Sequence, residues 1–246
     1  MAIDDSVFNN NTAGAGGAIY LLNAAAATIT DTFIQGNSVT GSGGGINIAT
    51  STAHAILTSV IMTGNKAASN GGAIYENGYS DCLFCTISGN YAGNLAGAIY
   101  HLTSVTSTIK NSIIYNNDAL DQPNYKQIYA VGSRWQYMDV YYTLINQIPG
   151  SASYPYGYES MGGNLHEDTR TDELPYFVNG LEPSSAPTTS GDYHICGGLD
   201  DPPGSGCGAA SRCIDAGSPS YTYDHDIFGG VRPLGAGYDM GAHEKE

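Results

Sequence analysis

Along the first half of the chain, apolar and polar residues alternate in short runs that restart every 25 to 28 residues. Nine-residue blocks run from Ile3 to Asn11, Ile29 to Asn37, Leu57 to Asn65, Cys82 to Asn90 and Ile109 to Asn117, each closing on an asparagine. Every block reads apolar, two polar or turn-like residues, a small residue, two mostly apolar residues and a polar stop. A second phrase follows in step: Gly17-Ala18-Ile19-Tyr20, Gly44-Gly45-Ile46-Asn47, Gly72-Ala73-Ile74-Tyr75, Gly97-Ala98-Ile99-Tyr100 and Lys126-Gln127-Ile128-Tyr129. Alternation with period two is the signature of a strand, and self-similarity at this longer period marks a stacked repeat. Two strands and a variable return per period match one coil of a β-helix, whose coils hydrogen-bond only to their neighbours.

Equivalent positions in successive coils then lie above one another, which predicts columns. Ile19, Ile46, Ile74, Ile99 and Ile128 form one inward ladder, and Ile3, Ile29, Leu57, Cys82 and Ile109 a second. The closing asparagines sit where the chain bends and tolerate a left-handed backbone there. A stacked asparagine column can also pass amide hydrogen bonds from coil to coil. Alternation puts Tyr20, Tyr75, Tyr100 and Tyr129 on the outer face, interrupted by Asn47. It also puts Val7, Phe33, Ile61 and Ile113 outside, an apolar stripe broken by Thr86 that asks for a cover or a partner. After Asn117 the pattern loosens, and Asn146 to Asn164 is rich in Gly, Ser, Pro and Tyr. The expected organisation is therefore residues 1–145 as coils of about 26 residues and 146–246 as loop-rich final coils and C-terminal closure of the same domain.

Composition supports an all-β reading. With 33 Gly, 19 Tyr and 13% charged residues, the chain favours turn-rich β structure and offers helices few good formers. A formal charge of −15 repels phosphate backbones and anionic lipid, which argues against nucleic-acid binding. No apolar run reaches about 18 residues, so no membrane-spanning helix is expected. The repeat begins at Ile3 with no leader-like segment before it, as in a mature fragment or a piece lacking earlier coils. Of the five cysteines, Cys82 and Cys85 fall on core-facing positions. The other three, Cys196, Cys207 and Cys213, are placed for a disulfide in an oxidising compartment.

The block Thr30-Asp31-Thr32-Phe33-Ile34-Gln35-Gly36-Asn37 and the phrase Gly71-Gly72-Ala73-Ile74-Tyr75 resemble the paired repeats of polymorphic outer-membrane proteins and other pectate-lyase-like right-handed β-helices. The ending Asp239-Met240-Gly241-Ala242-His243-Glu244 resembles the terminus of bacterial secreted β-helix proteins of the choice-of-anchor type. Together these resemblances imply a single-stranded right-handed parallel β-helix (solenoid) with a loop-rich C-terminal cap region, at an extracellular or cell-surface location. They imply little about activity, because this superfold hosts enzymes, adhesins and structural proteins alike.

Candidate chemistry is sparse. Eight basic residues show no column, and Asp31, Asp81 and Asp139 read as scattered turn residues. In the tail, Asp224 and Asp226 have a spacing that could share a calcium ion, the one cofactor left open, although Arg232 among acidic neighbours points instead to ion-paired closure. The first reading is a structural or adhesive module that associates with itself, head-to-tail or laterally, or with an extracellular polysaccharide. Its contact surfaces would be the tyrosine column and the apolar stripe. The alternative is a carbohydrate-active lyase or hydrolase, or a sugar-binding module, with Trp135, Tyr154, Tyr156 and Tyr158 at the ligand. Regular ladders through five coils lean the reading away from catalysis.

Overall fold

The computed structural model describes residues 1–121, 125–131, 136–147, 157–166, 175, 177–180, 182–197 and 210–245. Its body is the expected parallel β-solenoid. A 12-stranded sheet and two 5-stranded sheets run the length of the body, and every pairing within them is parallel. In the long sheet Ala26–Gln35 pairs residue for residue with His54–Thr63. The second sheet stacks Ile19–Leu21, Ile46–Ile48, Ile74–Glu76, Ile99–His101 and Ile128–Ala130, and the third stacks Thr12–Ala13 through Asp118–Ala119. The first-coil strands pair on one side only. The single antiparallel sheet described, Phe177–Asn179 with Asp192–Ile195, belongs to the tail.

Both inward ladders form in the predicted register. Ile19, Ile46, Ile74, Ile99 and Ile128 are partners in turn, as are Ile3, Ile29, Leu57, Cys82 and Ile109. They meet in one buried core that includes Cys85. Cys82, Cys85 and Cys213 are buried free thiols, and Cys196 is disulfide-bonded; Cys207 lies outside the described residues. The hydrogen bond with neighbouring Cys85, together with burial, pushes the Cys82 thiol well above its ordinary pKa.

The asparagine column forms with its amides linked. Asn11, Asn37, Asn65 and Asn90 each donate Nδ2 to the Oδ1 of the next asparagine, at 2.9, 2.9, 2.9 and 2.8 Å. Each Oδ1 also accepts the backbone N–H of the asparagine below it, and the second Nδ2 hydrogen of Asn65 reaches Ile34 O at 2.8 Å. At the end of the column Asn117 donates to Gln127 Oε1 at 2.7 Å, and Gln147 Oε1 then accepts from the Gln127 and Ile128 backbones. The asparagines themselves are not the left-handed residues. That conformation falls one position earlier, on Asn10, Gly36, Gly64, Gly89 and Asn116. The side chain thus turns into the core, where its four hydrogen-bonding sites are satisfied, and its neighbour absorbs the bend.

A second left-handed corner divides each block of the long sheet, at Asp5, Asp31, Ser59, Phe84, Asn111 and Tyr142. The glycine pairs of the second phrase have separate roles. The first member takes positive φ at Gly43 and Gly71, a position Ala96 also adopts. The second packs against the next coil, where a Cβ on Gly72 would stand 2.4 Å from Gly97 O.

Candidate functional site

The outer face of the second sheet carries the tyrosine column as expected. Tyr20, Asn47, Tyr75, Tyr100 and Tyr129 are register partners. The rings of Tyr75 and Tyr100 stack at 5.4 Å and 6°, and those of Tyr100 and Tyr129 at 5.7 Å and 4°. Tyr125 closes the end edge-on to Tyr129 at 6.0 Å. The ring faces are turned toward one another, so the column does not offer a flat aromatic platform. It offers a row of phenol hydroxyls and ring edges repeated at coil spacing. Partial burial raises the Tyr75 phenol above its ordinary pKa, so that hydroxyl remains a donor at neutral pH. Asn47 breaks the row: it is buried, donates to Ser42 O at 2.9 Å, and leaves its Oδ1 without a partner.

Of the other aromatic candidates, Trp135, Tyr154 and Tyr156 lie outside the described residues. Tyr158 is not a surface residue. Its ring is fully buried at the end of the core, and its hydroxyl donates to Gln147 O at 3.0 Å. Filling the solenoid interior removes it from any sugar-facing role.

The apolar stripe faces outward in the assumed register, Val7, Phe33, Ile61, Thr86, Ile113 and Leu144 being partners in turn. Its occupant is the chain's own tail, and lateral association through it is therefore closed. Tyr193, Ala242, Ile227 and Phe177 pack over Phe33 and Ile61, while Ile195, Cys213 and Met240 pack over Ile113 and Leu144. Where Thr86 interrupts the stripe, its Oγ1 accepts the Ala242 N–H at 3.1 Å. Gly241 donates to Asn111 O at 2.8 Å, and its φ of 96° places a prospective Cβ 2.7 Å from Ile113 Cδ1, so only glycine fits. Val7 at the end of the stripe remains 62% exposed.

The tail is locked by buried charge. Arg232 Nη2 donates to Gly241 O at 2.8 Å, Nη1 lies 3.1 Å from Glu244 Oε2 in an ion contact, and the guanidinium sits 4.4 Å from the Phe84 ring centroid. Asp239 accepts the backbone N–H groups of Asp215 and Lys245, and Glu244 those of Leu234 and Asp239. Burial nonetheless raises Asp239 to about 7. Ion-paired closure is thus what the tail charges do. Asp224 and Asp226, the carboxylates spaced to share a calcium ion, are placed differently: Asp226 is buried and its two oxygens accept the N–H groups of Phe228, Gly230 and Glu244. Asp224 points to solvent and pairs with His225 at 2.6 Å. Among the described residues no group of three His, Cys, Asp or Glu side chains converges as a metal site.

Two constellations were not read from the sequence. Inside the solenoid, Glu76 accepts hydrogen bonds from Ser80 and Ser107 and pairs with His101 Nδ1 at 2.8 Å, all four residues being buried. Its closure to solvent assigns it to the core, Glu76 and His101 lying two residues beyond Ile74 and Ile99 on the same inward face. On the outer face of the long sheet, Asp81, Thr108, Asp139 and Glu159 are register partners. Asp81 and Asp139 are therefore strand residues in one outward row; of the three aspartates read as turns, only Asp31 occupies a corner. Their signal was available, since Asp81, Thr108 and Asp139 each directly precede a ladder residue. Beside this row Lys110 lies 5.8 and 5.1 Å from the Tyr141 and Tyr221 rings. Burial raises the Asp139 carboxyl, with Lys110 opposing. The row can accept hydrogen bonds from a hydroxyl-rich surface, and nothing in its geometry singles out a reacting atom.

Residues 5–21 and 59–75 match the Chlamydia polymorphic membrane protein repeat. Each match spans a left-handed corner, an asparagine of the column and the glycine-isoleucine phrase, so the repeat signature is the set of positions that makes one coil stack on the next. The matched stretches cover a small part of the 246 residues and characterise the repeat rather than the whole chain. A comparison with curated proteins finds no match.

Proposed function

We propose that the chain is a scaffold module of the cell surface or exterior, whose solenoid presents the tyrosine column to an extracellular polysaccharide. The observation that carries this reading is the stack of Tyr75, Tyr100 and Tyr129, whose hydroxyls repeat along the outer face at coil spacing. A periodic row of hydrogen-bond groups suits a periodic, hydroxyl-rich polymer, with each contact individually weak and the row cumulative. The match to a membrane-protein repeat supports the surface location. The covered stripe supports a rigid scaffold, because the tail contacts five successive coils along one side, at Phe33, Ile61, Thr86, Ile113 and Leu144.

The test is affinity electrophoresis of the protein through gels containing neutral and acidic polysaccharides. The comparison is with the triple variant Tyr75→Phe, Tyr100→Phe, Tyr129→Phe, which keeps the stacked rings and removes the hydroxyls. Retardation by at least one polysaccharide should weaken about tenfold in the variant, the loss of one to two net hydrogen bonds. Absence of retardation in every gel, or equal retardation of the variant, would sink the proposal.

A further inference from the structure

Two adjoining cavities, of about 260 and 460 Å³, lie beside the asparagine corner, between the solenoid and the tail segment around Pro183. Both are lined by Asn116 and Glu182, which makes them one groove. Together they fall within the usual size of small-molecule sites, about 300–1,000 Å³. Tyr115 and Phe177 give it aromatic surface, Pro175 and Pro183 add apolar edges, and most of the other lining side chains are polar.

The groove contains polar atoms that the fold leaves unsatisfied. Ser88 is 1% exposed and lines the smaller cavity, yet its Oγ has no hydrogen-bond partner. Asn146 lines the larger cavity, and its buried Oδ1 also lacks one. Native proteins pair nearly all such atoms, and both of these belong to residues that line the one groove. The charge in the groove selects the ligand's class. Among the described lining residues the one cation, Lys126, is already paired with Asp118 at 2.7 Å, and Glu182 and Asn146 Oδ1 are available as acceptors. Such a lining asks for hydroxyl donors and repels anions.

We propose that this groove binds a neutral saccharide unit, its ring against Tyr115 and Phe177 and its hydroxyls donating to Glu182 and Asn146 Oδ1 and meeting Ser88 Oγ. The groove's lining includes none of Tyr20, Tyr75, Tyr100 and Tyr129, so the site stands whether or not the column binds polysaccharide.

Isothermal titration of the full chain with methyl glucoside, methyl galactoside, methyl mannoside and their neutral hexasaccharides tests it. A hexauronate serves as the anionic comparison. One-site saturation is expected with at least one neutral sugar, weakened about tenfold by Ser88→Ala and by Glu182→Ala and unchanged by the triple tyrosine variant. Ser88→Ala removes an unpartnered hydroxyl and should fold with unaltered stability, and Glu182 is exposed, so loss of binding would not report misfolding. The proposal is overturned if no neutral sugar saturates, if either alanine variant binds like the wild type, if the triple variant weakens binding to the same degree, or if the hexauronate binds as tightly.

Discussion

Replacing Asn65 by alanine tests the central claim about the fold, that the asparagine column is a structural element and not a set of turn residues. Asn65 is fully buried in the middle of the column. Its side chain makes four hydrogen bonds: it accepts from Asn37 N at 3.0 Å and Asn37 Nδ2 at 2.9 Å, and donates to Ile34 O at 2.8 Å and Asn90 Oδ1 at 2.9 Å. Alanine leaves the buried Asn37 N–H without its acceptor, at about 1–3 kcal/mol, and removes three further bonds worth about 1 kcal/mol each. The expected loss is thus about 4–6 kcal/mol, measured as a shift of the urea midpoint at constant slope. Asn11→Ala is the internal control. That residue is exposed at the first coil, and its side chain contributes a single bond to the column, so its loss should stay below about 1 kcal/mol. A loss at Asn65 no larger than at Asn11 would refute the argument, because it would mean that the amides are as well satisfied by water as by one another. Hydrogen exchange should single out the Asn37 amide, which becomes unprotected in Asn65→Ala while amides three coils away do not, as expected where each coil contacts only its neighbours.

Two further outcomes concern the tail. Arg232→Met keeps the volume over Phe84 but leaves Glu244 buried without its counter-charge, a change of about 3–5 kcal/mol. Its effect should be local: limited proteolysis releases the tail and a hydrophobic dye binds the uncovered stripe at Phe33, Ile61, Ile113 and Leu144, whereas unchanged protease resistance would contradict the lock. His243 Nδ1 accepts the Ile195 N–H at 3.0 Å, and burial pushes its pKa down to about 4. A histidine with a depressed folded pKa contributes stability above its unfolded value near 6.5 and loses it as pH falls toward 4, by up to about 3 kcal/mol. Denaturation midpoints between pH 7 and 4 should therefore fall more steeply for the wild type than for His243→Phe, and parallel curves would remove the imidazole from the account.

The inward half of the fold could be read from the sequence because identical side chains at one spacing can be explained only by stacking. Ile74 and Ile99, or Asn65 and Asn90, announce their register by repeating. The left-handed corner at Asp5, Asp31, Ser59, Phe84, Asn111 and Tyr142 repeats just as strictly in the backbone but with six positions shared among five residue types. A conformation that several residues tolerate leaves a weak trace in composition, and so the block was read as two polar residues and a small one. The row Asp81, Thr108, Asp139 and Glu159 was missed for a related reason. Its last members lie beyond Asn117, where coil lengths drift and a register shift intervenes between Val140 and Tyr141.

The apolar stripe shows where a one-dimensional repeat argument stops. Phe33, Ile61 and Ile113 could be seen to face outward and to need a cover, but the cover comes from tail residues between Phe177 and Ala242 that share no period with them. Ala242 meets Thr86, Gly241 meets Asn111, and Ser218 meets Asn111 from both its N–H and its carbonyl. The tail motif Asp239-Met240-Gly241-Ala242-His243-Glu244 becomes intelligible only against that stripe: Met240 and Ala242 fill it, Gly241 fits where a side chain cannot, and Asp239 and Glu244 hold the backbone that delivers them. The consequence for function is one of elimination by occupancy. The ladders are committed to the core and the stripe to the tail, which leaves recognition, among the described residues, to the tyrosine row, the acidic outer row of the long sheet, the groove beside the asparagine corner and a cavity lined by Asp4, Asp31 and His225. The groove brings two unpartnered buried polar atoms, Ser88 Oγ and Asn146 Oδ1, where that cavity brings one, Asp31 Oδ1, so a neutral, hydroxyl-bearing ligand has most to gain there.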